Sequence, residues 1–425
     1  MDRRLQSRYK TLVTQQLQSA QGLASGLHAL PSAATPFAAT QAAWRFLANP
    51  RVRLPQLAEP LRQSGREAAA ASRASHLLVV HDWSFLSYGT HASKTDRIKH
   101  GHSTALGYDL ATALLVDGKT GDPLAPMELE LTTAGNVVST RVDRSKPLAH
   151  IDQILETMDA SVSWGVKRPL VHIIDREADG LAQFRTWSKA GHSFVVRVDA
   201  NRRVQWQDQS RRLPEIAQEL QQAQAFTRVG SLGVTNTLHV AETAIVYAQP
   251  GRVRRGKKRV LVPGEPLRVR LVVSQVRAND GSVKAEWLLV TNLGAEVSAR
   301  QIGEWYAWRW RIESFFKLLK SHGVQAESWE QESGQAIAKR LAVAAMACVL
   351  VWRLMRDKSR PGRTLAKLLI RLSGRQMKAT RPVTASALLA GLEKLLGVLE
   401  LLEKTTVEEL RKLLNRVLPM LHNTS

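Results

Sequence analysis

Between residues 76 and 175 the chain repeatedly runs apolar for about the length of a strand and then stops. "HLLVV" (76–80), "LGYDLATALLV" (106–116), "APMELELTTA" (125–134) and "RPLVHIID" (168–175) are such runs. The turn signal "DGKTGDP" separates the second from the third. Between the third and fourth lies "HIDQILETMDASVSWG" (150–165), whose period puts Ile151, Ile154, Leu155 and Met158 on one side of a helix. Three consecutive strands, a crossover helix and a fourth strand constrain this part of the chain to a mixed α/β sheet, since a parallel pair needs a connection long enough to return.

That order of elements is the manner of ribonuclease H. On either side of it the hydrophobic period changes. Residues 1–70 read as helical and basic, with one helix ending at Asn49-Pro50 and another starting near Pro55. Trp44, Phe46 and Leu47 are expected to anchor its small core, leaving Arg45, Arg51, Arg53 and Arg62 as candidate phosphate contacts or ordinary solvated charges. Residues 186–298 are β-rich, with Asn279-Asp280-Gly281 as a hairpin turn. The loop "GRVRRGKKRVLVPG" concentrates Arg252, Arg254, Arg255, Lys257, Lys258 and Arg259 and is expected to grip phosphates. After residue 300 the chain is helical again. Its end is leucine-rich and carries a capping box at Thr406-x-x-Glu409.

Charge narrows the partner. Sixty Lys+Arg against 37 Asp+Glu give a formal net charge of +23. Such a surplus favours a polyanion, because each phosphate neutralised releases condensed counterions. The single cysteine, Cys348, excludes an internal disulfide framework and a multi-cysteine zinc site. It lies in "LAVAAMACVLVW", too short to span a bilayer, which takes roughly 20 apolar residues, so a core helix and no membrane partner are expected. The opening "MDRRLQSRYK" lacks the apolar stretch of a secretory signal, which predicts a reducing cytoplasm. His91, His100 and His102 have no partner at a zinc-like spacing and read as a loop close to the polyanion.

Two of the strand-like runs end in an acid: "LLVVHD" delivers Asp82 and "LVHIID" delivers Asp175. Strand ends hold side chains rigidly, so they suit catalytic groups. The third acid stands in "WYAWRWRIESFFKLLKSHG" (305–323), which reads as one helix. At about 100° per residue, Trp305, Trp308, Ile312, Phe315, Phe316 and Leu319 share one arc, while Tyr306, Arg309, Glu313 and Lys320 share another roughly a quarter turn away. Glu313 therefore sits at the rim of the buried face, and Asp82, Asp175 and Glu313 make a trio if this helix packs beside the strand ends. At an effective dielectric of 20, two like charges about 4 Å apart repel by about 4 kcal/mol. Divalent metal offsets that repulsion, and all-oxygen ligation suits two Mg²⁺ ions, with Mn²⁺ as a substitute. Two ions about 3.5–4 Å apart can activate an attacking hydroxyl and stabilise a leaving oxygen.

The same stretch resembles the Y-x2-R-x3-E-x6-K signature of the DDE transposases of insertion-sequence family four, the transposon-five-like group. Here it is carried by Tyr306, Arg309, Glu313 and Lys320. "IIDREADG" (173–180) resembles that family's second-aspartate motif and "HDWSFLSYG" (81–89) its first. "AAWRFLANPRV" (42–52) resembles its N-terminal DNA-binding region, and "EWLLVTNL" (286–293) its last inserted strand. The similarity runs from about residue 40 to about residue 355. It implies a ribonuclease H-like core interrupted by a β insertion. The expected divisions are a helical DNA-binding domain over 1–70, the core over 71–185 and 299–360, the β-rich insertion over 186–298, and a C-terminal helical region over 361–425 that is a candidate for dimerisation.

The resemblance also implies an activity, cut-and-paste movement of a DNA element through metal-assisted nicking, hairpin formation, hairpin reopening and strand joining. Asp82, Asp175 and Glu313 would be catalytic and metal-ligating; Tyr306, Arg309, Lys320, Arg197 and Trp287 would bind DNA, with Trp287 receiving a flipped base. The partners implied are double-stranded DNA, both terminal inverted repeats and target, and a second copy of the chain in the synaptic complex, in the nucleoid of a bacterial cytoplasm. Two departures stand out: the first motif continues Asp82-Trp83-Ser84 where Asp-x-Thr or Asp-Thr-Thr is usual, and Ala111-Thr112 replace a His-Ser pair on the second strand. Two other functions stay open from sequence, a DNA-binding repressor of transposition without catalysis and a standalone nuclease of the same fold.

Overall fold

The computed structural model of the protein describes residues 1–18, 36–233, 235–255, 258–322, 324–375 and 383–417. Helices α1 (Arg3–Gln18), α2 (Pro36–Ala48) and α3 (Leu54–Ala71) come first. Asn49-Pro50 follows α2 directly, and Pro55 lies in the first turn of α3, where its missing N–H leaves no bond unmade. Phe46 and Leu47 are buried, but Trp44, expected inside with them, is 39% exposed. Arg62 is not free for phosphate: it turns inward and donates to the Thr140 carbonyl at 3.0 Å. Arg45, Arg51 and Arg53 do face solvent.

The sheet is built around β1 (Leu77–Ser87). The minor strand β2 (Ile98–Lys99) pairs with β3 (Leu106–Asp117), and β4 (Pro123–Thr132) and β5 (Val137–Ser139) extend the sheet antiparallel outward from β1. Helix α4 (His150–Ser161) crosses over to β6 (Leu170–Ile174), and α5 (Leu181–Lys189) to β7 (Ser193–Arg197). Both strands run parallel, β6 to β1 and β7 to β6. Leu77, Leu78, Val79 and Val80 are all buried, as a central strand covered on both faces requires.

The expected boundary at residue 186 falls inside α5, and β7 continues the parallel run. The excursion leaves after Arg197, as β8 (Arg203–Trp206), β9 (Gln209–Arg212), α6 (Leu213–Gln222), β10 (Thr227–Leu232), β11 (Asn236–Tyr247), the separate hairpin β12 (Gly251–Arg255) and β13 (Lys258–Val262), β14 (Leu267–Ala278) and β15 (Val283–Thr291). β15 comes back antiparallel against β7, so these strands lengthen the same sheet. Gly281, at φ +82°, makes the turn between β14 and β15. Arg252 and Lys258 are exposed on the separate hairpin; Lys257 lies outside the described residues.

Alternation along β6, β7, β14 and β15 sorts the core by face. Ile173, Val195, Val272 and Leu289 join one apolar cluster, and their neighbours Ile174, Val196, Val273 and Val290 join the other. The first cluster also takes in α7 (Ala299–Ala307), α8 (Trp310–Lys317) and α9 (Gly334–Arg356). α9 is buried along most of its length, Cys348 included. Its Lys339 Nζ donates to the carbonyls of Leu47 (3.0 Å) and Asn49 (2.8 Å), tying α2 to the core helix. Helices α10 (Arg360–Ser373), α11 (Ala385–Lys404) and α12 (Val407–Val417) finish the chain. Among the described residues no helix is long and apolar enough to cross a membrane.

Candidate active site

Three neighbouring parallel strands bring polar side chains to one level. Val80 pairs with Ile173, and Ile174 with Val196, so the next residues along the register bring Asp82, Asp175 and Arg197 to the same edge. Asp82 is not the end of its strand, as the sequence suggested: β1 continues to Ser87, paired only with β3 on that side. β6 is what ends. Beyond Ile174 it leaves one flank of β1 open, and there the burial of β1 changes from complete to partial. Asp175 begins a short 3-10 turn and accepts the N–H of Arg176 at 2.6 Å; Asp82 accepts that of Trp83 at 2.9 Å.

The helix carrying the third acid is broken, contrary to the single helix expected over 305–323. Between α7 and α8, Arg309, Arg311 and Ile312 each donate to the carbonyl three residues back, a tightened step. The break is held against the turn between β3 and β4. Trp305 Nε1 donates to the Gly118 carbonyl and Arg311 Nε to the Gly121 carbonyl, both at 2.8 Å. In a regular helix residues six apart point about 120° apart, and the tightened step brings both side chains to the one turn. Gly121, at φ +68°, lies against the Trp308 ring, where a Cβ would approach to 2.6 Å. After α8, Leu318–His322 widen into a π turn. As a result Tyr306 and Arg309 are buried, more deeply than a rim position implies, and Trp310 is exposed.

This arrangement converges Asp82, Asp175 and Glu313 on one guanidinium. Arg309 Nη1 donates to Asp82 Oδ2 at 3.2 Å, and Nη2 lies 3.0 Å from Glu313 Oε1 and 3.4 Å from Asp175 Oδ2. Asp175 Oδ1 is also 2.7 Å from Arg197 Nε and accepts the Tyr306 hydroxyl at 3.2 Å. Burial lifts Asp82 to about 6; Arg309 and the Trp83 N–H pull it down, and Glu313 and Asp175 push it up. Burial opposes the charge on Arg309, but Asp175, Tyr306, Asp82 and Glu313 together hold its pKa above the ordinary value. Burial and the Asp175 charge raise the Tyr306 phenol.

With Arg309 between the acids, no group of three or more His, Cys, Asp or Glu among the described residues stands as an open metal site. The donor set nonetheless fits a hard cation: three carboxylates, no sulfur or imidazole, each on a separate element. The three carboxyl groups face two guanidinium groups, those of Arg309 and Arg197.

Lys320 and Trp287 lie beside this centre. Lys320, on the π turn, lies 3.7 Å from Glu327 and donates at 2.5 Å to the carbonyl of Phe85, three residues along β1 from Asp82. Trp287 is buried and packs edge-on against Tyr306, with ring centroids 5.1 Å apart. His91 lies 3.1 Å from Lys94 Nζ, and His100 packs on Phe85.

Sequence reasoning missed His150. It stacks on Trp83, with centroids 4.1 Å apart and planes 7° from parallel, and bridges Asp109 (3.1 Å) and Glu177 (3.0 Å). It thereby ties the turn after Asp175 to the strand of Asp82. Glu177 lay within the "DREAD" motif, but nothing in spacing marked His150.

Comparison with known proteins places this geometry in a class. The family model described as a transposase DDE domain matches residues 73–350, and the chain belongs to that family. It is therefore a transposase-type protein, from a family whose members cut DNA and generally use divalent metal ions. Among solved structures, the chain is similar to a piggyBac transposase determined by cryo-EM as a synaptic complex with hairpin DNA. The TM-score is 0.39 and the identity 10%, over 99% of this chain and 77% of that one, a distant likeness. A comparison with curated proteins found no match.

Proposed function

We propose that the protein is a transposase of insertion-sequence family four, with a ribonuclease H-like core, acting on the inverted terminal repeats of its own element. The observation that carries this reading is the meeting of Asp82, Asp175 and Glu313, from two strands and a helix, around Arg309 of the same Tyr-Arg-Glu-Lys signature.

Asp82, Asp175 and Glu313 are the groups that would hold Mg²⁺ or Mn²⁺. Such ions, when bound, supply activation of the attacking hydroxyl and stabilisation of the leaving oxygen in phosphodiester displacement. The chain's own residues bind and orient the strand. Arg197, at the end of β7, and Lys320, on the π turn, flank the acids and suit phosphates on either side of the scissile bond. Tyr306 holds Asp175 by hydrogen bond and backs Trp287, whose indole would stack a base drawn from the duplex once its edge is uncovered. The reaction order we infer is a nick, hairpin formation, reopening and joining to target DNA, with two copies of the chain pairing the two ends. The net charge of +23 supports DNA as partner.

The test is incubation with the DNA that flanks the reading frame, in Mg²⁺ and in Mn²⁺. Scission at the repeat ends, hairpin and joined products, all lost in Asp175→Asn, are expected. Binding of the ends with no scission in either metal would leave the repressor; scission without hairpins or joined products would leave a plain nuclease.

A further inference from the structure

Arg309 stands where a cation would stand. Its side chain is only 9% exposed, and its terminal nitrogens reach all three carboxylates. Because Nη2 touches both Asp175 and Glu313, their oxygens are within about 6.4 Å of each other, the sum of the 3.4 Å and 3.0 Å contacts. A divalent ion held by both must bring them to within about 2.0–2.6 Å of its own centre, in space that the nitrogen now fills. A dication and a guanidinium at such a distance also repel twice as strongly as two unit charges.

We propose that Arg309 is the resident counter-ion of the acid trio, and that divalent metal and Arg309 exclude one another from it. This rests on the reading of the trio as the metal site. Metal loads only as the guanidinium swings away, and a phosphate is the group suited to draw it off, because guanidinium pairs with phosphate oxygens in two parallel hydrogen bonds. Phosphate binding and metal loading are then linked, each strengthening the other by the same factor. The fold gives Arg309 somewhere to go. It lies in the tightened step between α7 and α8, and the exposed ring of Trp310 is 5.8 Å from its Cζ. Arg309 acts in this as a positioning residue, restraining the acids until substrate arrives.

The experiment uses the purified full chain without DNA and Mn²⁺ alone as the probe, with free ion followed by electron paramagnetic resonance. Arg309→Met is expected to bind Mn²⁺ at least tenfold more tightly than wild type, and Arg309→Lys to fall between. In chelator the Arg309→Met protein should melt below wild type, and Mn²⁺ should restore its melting point while leaving that of wild type unmoved. Equal or weaker Mn²⁺ binding by a folded Arg309→Met protein, or by Arg309→Lys should the first variant not fold, overturns the exclusion. Asp175→Asn and Glu313→Gln in the Arg309→Met background separate the two claims. If they abolish Mn²⁺ binding, the trio is the metal site whatever Arg309 does; if binding is indifferent to both, that reading falls and the inference with it.

Discussion

Replacing His150 with Gln should destabilise the protein at neutral pH and leave its stability almost unchanged at pH 10. Burial disfavours the charged imidazole, but hydrogen bonds and ion pairing to Asp109 and Glu177 outweigh it and lift His150 from 6.5 to about 9. The folded protein therefore holds this proton more tightly than the unfolded chain. That stabilisation is complete below about pH 6.5, declines as pH rises through the interval, and is gone above about 9. A gap of about 2.5 units at about 1.36 kcal/mol each would give about 3.4 kcal/mol. The side chain is 38% exposed, however, so solvent screening reduces the expected loss to roughly 1–2 kcal/mol.

The other end of the window is set by Glu177, whose pKa is lowered, chiefly by its hydrogen bond from His150. Its contribution is present above the ordinary carboxylate range and fades as pH falls through the lowered value. Urea unfolding midpoints of wild type and His150→Gln at pH 6, 8 and 10, at fixed ionic strength, should show the loss at pH 6, part of it at pH 8 and almost none at pH 10. A cycle with Asp109→Asn isolates the pair. A loss of equal size at pH 6 and pH 10 would refute the charge-based account, and would make stacking on Trp83 the whole of the residue's contribution.

Asp175→Asn, Asp82→Asn and Glu313→Gln should each lower strand scission by more than the ~10–100-fold typical of removing an outer-sphere partner, with binding of the same DNA, read by gel shift, within a few-fold of wild type. Lys339→Met should lose about 1–3 kcal/mol in chemical denaturation, since two carbonyls at the end of α2 lose their donor. Gly121→Val should cost at least about 1–3 kcal/mol through its left-handed backbone and should shift tryptophan emission as Trp308 is displaced. DNA binding should weaken by orders of magnitude between low and physiological salt, as expected for about 6–10 phosphate contacts, and a flat salt profile would contradict phosphate-driven binding.

The parts of the site that were legible in the sequence are those set by local pattern. Asp82 and Asp175 follow runs that are apolar but for one histidine each, His81 and His172, and such runs are central strands because both faces of a parallel sheet are covered. Glu313 was legible as an acid beside a buried stripe. The break before it was not, because the turn that receives both Trp305 and Arg311 lies nearly two hundred residues away. Arg62 and Trp44 were misjudged for a related reason: whether an amphipathic helix points a given side chain inward depends on its neighbours, and Arg62 finds the Thr140 carbonyl across the fold. His150 left no trace, since one histidine at a helix start has no spacing to read.

On the proposed reading, folding and chemistry make opposing demands on the acid trio, and Arg309 is where they meet. On that reading three carboxylates must be close to be useful, yet burial, with a smaller push from Glu313 and Asp175, raises Asp82 to about 6, so its ionised form weakens the fold. A fixed metal could offset this only where metal is always present. A guanidinium at the start of α8 offsets it without any ligand, and it lies four residues before Glu313, the spacing at which helix neighbours pair. Arg309 and Glu313 are thus linked by a physical constraint: the residue proposed to meet a phosphate is also the one placed to stabilise the acids before any phosphate arrives. Moving Arg309 one position along the helix would turn it by about 100° and leave Asp82 without its nearest positive partner.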